Sequence, residues 1–149
     1  MNETLETVPK PSAIVQRSTG YPDLILIEDN PHDVQLIRLA ILEVGIQANL
    51  HVAEDSVRAF ELMAGLAAPP AVVVLDLNLP LIKGASILCE IRHGSRWKDV
   101  PVIILTSSQS ERDIEECIKL GATAYKSKPA LFEGYVEFAR SLVGYLSPP

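Results

Sequence analysis

Short runs of branched aliphatic residues recur through the chain at near-regular intervals: DLILIE at 23–28, ANLHVA at 48–53, AVVVLD at 71–76 and PVIILT at 101–106, with a weaker fifth, TAYKSK, at 123–128. Several are apolar at successive positions, as expected of strands buried on both faces. Helical periodicity fills the gaps between them. Asn30-Pro31 supplies a cap and a first-turn proline for a helix with apolar positions Val34, Ile37, Ile41 and Val44, and Gly45 closes it. Asp55 caps SVRAFELMAGL, which stops before the breaker Pro69-Pro70. A third helix is predicted over GASILCEIRHG (84–94), a fourth from a Ser110/Asp113 capping box to Gly121, and a fifth over 131–146.

Five strands alternating with five helices predict an α/β fold, a doubly wound five-stranded parallel sheet joined by right-handed crossovers and covered on both sides. Ligands in such sheets collect beyond the carboxyl ends of the strands, where the strand order reverses. Residues 1–21 mix acids, hydroxyls and prolines without a sustained period and read as a flexible N-terminal arm; 22–146 form the domain and 147–149 a C-terminal tail.

Composition narrows the function. The 149 residues suit one domain, and 48% hydrophobic against 21% charged residues describes a globular chain. Thirteen basic and 19 acidic residues leave a formal charge of −6, the wrong sign for binding nucleic acid or an anionic membrane. No apolar run has the length of a membrane helix and the N-terminus lacks a signal-peptide layout, so a cytoplasmic location is expected. Cys89 and Cys117 then read as unpaired thiols. The three histidines, His32, His51 and His93, are scattered and read as packing or solvated residues, and Trp97 as a loop anchor.

The strand ends carry the chemistry. Glu28-Asp29 follow the first strand, Asp76 ends the third, Thr106 the fourth and Lys128 the fifth, all at one edge of the predicted sheet. Three carboxylates brought together there repel one another and need a positive partner. An oxygen-lined pocket without imidazole or thiolate suits a hard cation such as Mg2+, and Lys128 adds a second positive charge. Together with the Thr106 hydroxyl, the set contains what phosphoryl transfer to a carboxylate requires, with Asp76 as acceptor.

These residues, in this order, resemble the receiver domain of two-component response regulators: Glu28-Asp29, Asp76 followed by Asn78 and Pro80, Thr106-Ser107, and Tyr125-x-x-Lys128-Pro129. The resemblance spans 23 to about 146. It implies that Asp76 accepts a phosphoryl group from a histidine kinase. It also implies that Asp29, Asp76 and the Asn78 carbonyl bind Mg2+ directly, that Glu28 acts through water, and that Lys128 pairs with a phosphoryl oxygen. Thr106 and Tyr125 are the implied switch residues, and the Lys128-Pro129 bond is expected to be cis. IEDNPHDVQLI and LNLPLIKG look closest to the single-domain regulators paired with phytochromes, which implies a bacteriophytochrome as the kinase. Lys83 before Gly84 and Ser108 after Thr106-Ser107 depart from many receivers at positions that bear on phosphoryl lifetime.

Twenty residues follow Pro129, room for a helix and a tail but not for a DNA-reading output domain, so signalling by protein contact is expected. The last helix carries two adjacent apolar stripes, Phe132, Val136, Ala139, Val143, Leu146 and Leu131, Tyr135, Phe138, Leu142, Tyr145. This arc is wider than one sheet face covers, which predicts a homodimer through the C-terminal helix and tail. The chain is expected not to be an enzyme beyond slow self-catalysed phosphotransfer and dephosphorylation. The alternatives are a phosphohydrolase with an aspartyl-phosphate intermediate, a receiver-like scaffold that is not phosphorylated, and a flavodoxin-like cofactor binder. Asn78 lacks the second acid of the first, and the paired acids after strand one would repel the phosphate of the last.

Overall fold

The structure, a computed structural model, describes residues 20–94 and 96–146. The expected tail at 147–149, and all of the expected arm except Gly20 and Tyr21, lie outside the described residues. Five strands, β1 (Asp23–Ile27), β2 (Asn49–Ala53), β3 (Val72–Leu75), β4 (Val102–Thr106) and β5 (Ala124–Ser127), form one parallel sheet in the order β2-β1-β3-β4-β5. Between them run α1 (Pro31–Val44), α2 (Ser56–Gly65), α3 (Gly84–His93) and α4 (Glu111–Lys119), followed by α5 (Phe132–Ser141) and a short turn, α6 (Val143–Leu146). The predicted doubly wound sheet is the one observed. The last helix is interrupted at Leu142 rather than continuous, and the turn beyond it contains Gly144, the poorest helix former after proline.

Alternation of side chains along each strand splits the core into two layers. Ile25, Ile27, Val73, Leu75, Val102 and Ile104 face α2, α3 and α4, where Ala59, Leu88, Ile91, Trp97 and Cys117 complete one cluster. Leu24, Leu26, Val72, Val74, Ile103 and Leu105 face α1 and α5, against Ile37, Ile41, Tyr135, Phe138 and Leu142. The unbroken apolar runs of the sequence are thus the two faces of one sheet read together. Both cysteines are free, and burial raises the Cys117 thiol to about 11.

Local signals place the helix starts. The Asn30 side chain accepts from the amides of His32 (2.9 Å) and Asp33 (3.2 Å), which leaves Glu28 and Asp29 free of the capping role. Asp55 caps α2 through the Arg58 amide at 2.8 Å. The Ser110/Asp113 capping box is corrected in one half. Ser110 does accept from the Asp113 amide, but the Asp113 carboxylate bonds the Ser108 hydroxyl at 2.6 Å, an acceptor arm one methylene shorter than the glutamate that normally reaches back.

Candidate functional site

The site begins where the strands end. The Glu28 amide continues the ladder to the Ala53 carbonyl (2.9 Å), Asp76 to Ile27 (3.0 Å) and Lys128 to Thr106 (2.8 Å). These three residues are therefore fixed by sheet hydrogen bonds one position past their strands. β1 lies between β2 and β3, so the reversal of strand order falls where Glu28 and Asp76 meet.

Glu28, Asp29 and Asp76 bring carboxylate oxygens within 4.8 Å of one another, a spacing at which two full charges repel by about 3 kcal/mol at an effective dielectric of 20. Glu28 and Asp76 are buried, and Asp29 is exposed at the mouth. Lys128 answers that repulsion. Its ammonium lies 2.9 Å from Glu28, 2.9 Å from Asp76 and 2.7 Å from Asp33. The second Asp76 oxygen accepts from the Asn78 amide at 3.2 Å, and a Glu28 oxygen accepts from the Asn30 amide at 3.1 Å.

Burial pushes the Glu28 carboxyl up to about 7, with the Lys128 hydrogen bond only partly opposing it. Burial alone would lower Lys128, but its hydrogen bonds to Asp33, Asp76 and Glu28 outweigh that and hold it above its ordinary value. The Glu28 shift has a definite sign for stability. A carboxyl with folded pKa near 7 and unfolded pKa near 4.5 favours folding below that window and loses the contribution as pH rises through it. Glu28→Gln is expected to stabilise the metal-free protein by about 1–2 kcal/mol at pH 8 and by nothing at pH 4. Urea unfolding in chelator at the two pH values measures the difference.

The remaining residues fall around this cluster. Thr106 is buried at the end of β4, and its hydroxyl accepts a long hydrogen bond from the Ser108 amide (3.4 Å). Tyr125 is half-buried on β5 and donates to the Ser108 carbonyl at 3.0 Å; burial raises its phenol. Asn78 is exposed beside Asp76. The cis expectation is corrected, since Lys128-Pro129 is trans, the lower-energy isomer before proline in the absence of a specific constraint, and Lys128 reaches all three carboxylates from it.

Two residues escaped sequence reasoning. Asp33 looks like an ordinary first-turn acid of α1 but is the nearest partner of Lys128, 95 positions away in sequence. Gly84, read only as the start of α3, packs so closely that a Cβ there would overlap the Asp76 carbonyl oxygen and lie 2.7 Å from the Leu77 Cα. The only available signal for it was a glycine directly after an acceptor loop.

An all-oxygen cluster with one exposed member fits a hard divalent cation. The sequence model of the response regulator receiver domain matches residues 24–137. The chain belongs to that family. It is 30% identical over 114 residues to the probable methanogenesis regulatory protein FilR2 of Methanothrix harundinacea, covering 74% of each chain. To response regulator Rcp1 of Synechocystis it is 28% identical over 110 residues, covering 70% of this chain and 75% of Rcp1. The phosphorylated cyanobacterial phytochrome response regulator RcpA superposes with TM-score 0.78 at 26% identity, over 85% of this chain and 94% of that one. The Mn2+-bound form of Rcp1 does so with TM-score 0.74 at 25% identity, over 86% and 99%. The receiver fold of this chain therefore stands beside that of a phytochrome response regulator and of a response regulator that binds a divalent metal. Among the described residues no helix is long and apolar enough to cross a membrane.

Proposed function

We propose that this receiver is a phosphoacceptor in which Asp76 takes a phosphoryl group from the phosphohistidine of a sensor kinase. One observation carries the reading: a single ammonium, Lys128, is shared by Glu28, Asp33 and Asp76 at the strand-order reversal. An Asp76 oxygen attacks phosphorus, the donor imidazole nitrogen leaves with the bond's electron pair, and Lys128 transfers its hydrogen bond from carboxylate to phosphoryl oxygen. Thr106 supplies a second donor, and Tyr125, tied to the same loop, follows it. Glu28, Asp29, Asp76 and the Asn78 carbonyl are the residues that would hold Mg2+. When bound, that ion supplies neutralisation of the charge that spreads over the phosphoryl oxygens.

The likeness to the phytochrome response regulator RcpA supports a bacteriophytochrome as the kinase, and membership of the receiver family supports a cytoplasmic setting. The product is a signalling state rather than a turnover product, and it decays by slow self-catalysed hydrolysis. Leu131, Phe132 and Val143 are 67%, 39% and 40% exposed, so these three of the ten residues in the predicted apolar arc are left for a second copy of the chain. A protein that sediments only as monomer at high micromolar concentration contradicts that dimer. The acceptor reading is tested by incubation with a small phosphodonor and intact mass. The expected result is one phosphoryl group with Mg2+ and none in chelator; no gain in either contradicts it.

A further inference from the structure

The Lys128 ammonium has every donor directed at a carboxylate. Its N–H groups meet Glu28 at 2.9 Å, Asp76 at 2.9 Å and Asp33 at 2.7 Å, and an ammonium on a lysine has no further donor to offer. The three acids are not alike. Glu28 and Asp76 belong with Asp29 to the acidic cluster that fits a divalent cation, whereas Asp33 is not a member of it. Asp33 is also fixed by a separate device. Its amide donates to the Asn30 side chain at 3.2 Å, which holds the residue in the first turn of α1, and its carboxylate makes the shortest of the three contacts with Lys128.

We propose that Asp33 is a positioning residue for phosphoryl uptake: it retains the Lys128 ammonium beside Asp76 when Glu28 and Asp76 are shared with a divalent cation. This rests on the acceptor reading above. Lys128 has to release a donor before it can bond a phosphoryl oxygen, and its bonds to Glu28 and Asp76 are the ones a cation weakens, because the same two carboxylates serve both positive charges. The bond to Asp33 is the one kept. A lysine head rides on a flexible stem, so one retained charge-assisted bond confines it to the site and leaves the other donors for Asp76 and the phosphoryl group. Asp33 therefore acts through Lys128. Plain repulsion predicts the opposite effect, since a further acid beside a site that receives an anion would slow uptake, and its loss would then speed it.

The test measures phosphoryl uptake from a small phosphodonor in saturating Mg2+ for wild type, Asp33→Ala and Asp33→Asn, and for Lys128→Met with and without Asp33→Ala. Asp33→Ala is expected to take up phosphoryl about fivefold to tenfold more slowly, the effect of one lost charge-assisted bond. Asp33→Asn keeps an oxygen acceptor and should lie between it and wild type. In the Lys128→Met background the Asp33→Ala change should slow uptake by less than about twofold, because the group that Asp33 holds is gone. General damage to the fold slows both backgrounds alike. A second readout needs neither Lys128→Met nor uptake: in the Mg2+-loaded protein, water exchange of the Lys128 ammonium protons, followed by nitrogen NMR, should be about fivefold faster in Asp33→Ala than in wild type. Unchanged or faster uptake by Asp33→Ala, equal slowing in both backgrounds, or an ammonium exchange rate that does not change overturns the role of Asp33, while uptake by wild type leaves the acceptor reading standing. Absence of uptake by wild type overturns both.

Discussion

Lys128→Met is expected to destabilise the metal-free protein by about 3 kcal/mol at pH 8 and to slow phosphoryl uptake about a hundredfold. The side chain is 12% exposed and bonds two carboxylates, Glu28 and Asp76, that are themselves 1% and 4% exposed, so its removal leaves buried charges without a partner. Methionine keeps most of the volume, which separates the charge effect from a cavity. Without the Lys128 hydrogen bond that opposes it, burial holds the proton on Glu28 to still higher pH in the folded state. Its deficit should therefore shrink as pH falls toward 5 and widen again above 7. Added Mg2+ should recover more stability in the variant than in wild type. Urea unfolding at pH 5 and 8, with and without Mg2+, reads all three effects; a variant as stable as wild type at pH 8 contradicts the shared-ammonium account.

Gly84→Ala carries the second large effect. A Cβ at this position overlaps the Asp76 carbonyl oxygen and lies 2.7 Å from the Leu77 Cα and 3.0 Å from the Asp76 carbonyl carbon. These neighbours are backbone, so no rotamer change relieves them. The Gly84 amide also bonds the Leu77 carbonyl at 3.0 Å, which ties the start of α3 to the acceptor's own loop. Either α3 or the end of β3 has to move, at a cost of about 3 kcal/mol. Because that shift falls on Asp76, uptake should drop together with stability. Thermal unfolding and phosphoryl uptake of the same preparation test the coupling, and a variant that loses neither removes the role given to Gly84.

The fold was largely legible in the sequence because buried parallel strands announce themselves as apolar runs and α1, α2 and α4 each begin with a side-chain cap, reinforced in α1 by a first-turn proline. Asp76, Glu28, Asp29 and Lys128 were legible for a related reason: charge at the end of an apolar run is costly unless strand ends converge. Asp33 was not, since its first-turn position in α1 has an ordinary explanation and its partner is distant in sequence. Ser108 was legible only as a position bearing on phosphoryl lifetime; that its four bonds knit β4, β5 and α4 depends on loop geometry without periodicity. The half-formed capping box has the same origin, because Asp113 had two serines within reach and sequence spacing favours Ser110 while geometry gives the carboxylate to Ser108. The isomer of Lys128-Pro129 was likewise beyond pattern, since the two forms differ intrinsically by about 1 kcal/mol or less.

The most direct measurement is the location of the phosphoryl group. Protein phosphorylated by a small donor in Mg2+ can be reduced with borohydride, which converts an aspartyl phosphate to homoserine, and then digested and mapped by mass. Homoserine at position 76 alone, absent from Asp76→Asn, is the predicted result. Label at Asp29, Asp33, Glu28 or any histidine, or uptake retained by Asp76→Asn, contradicts the account.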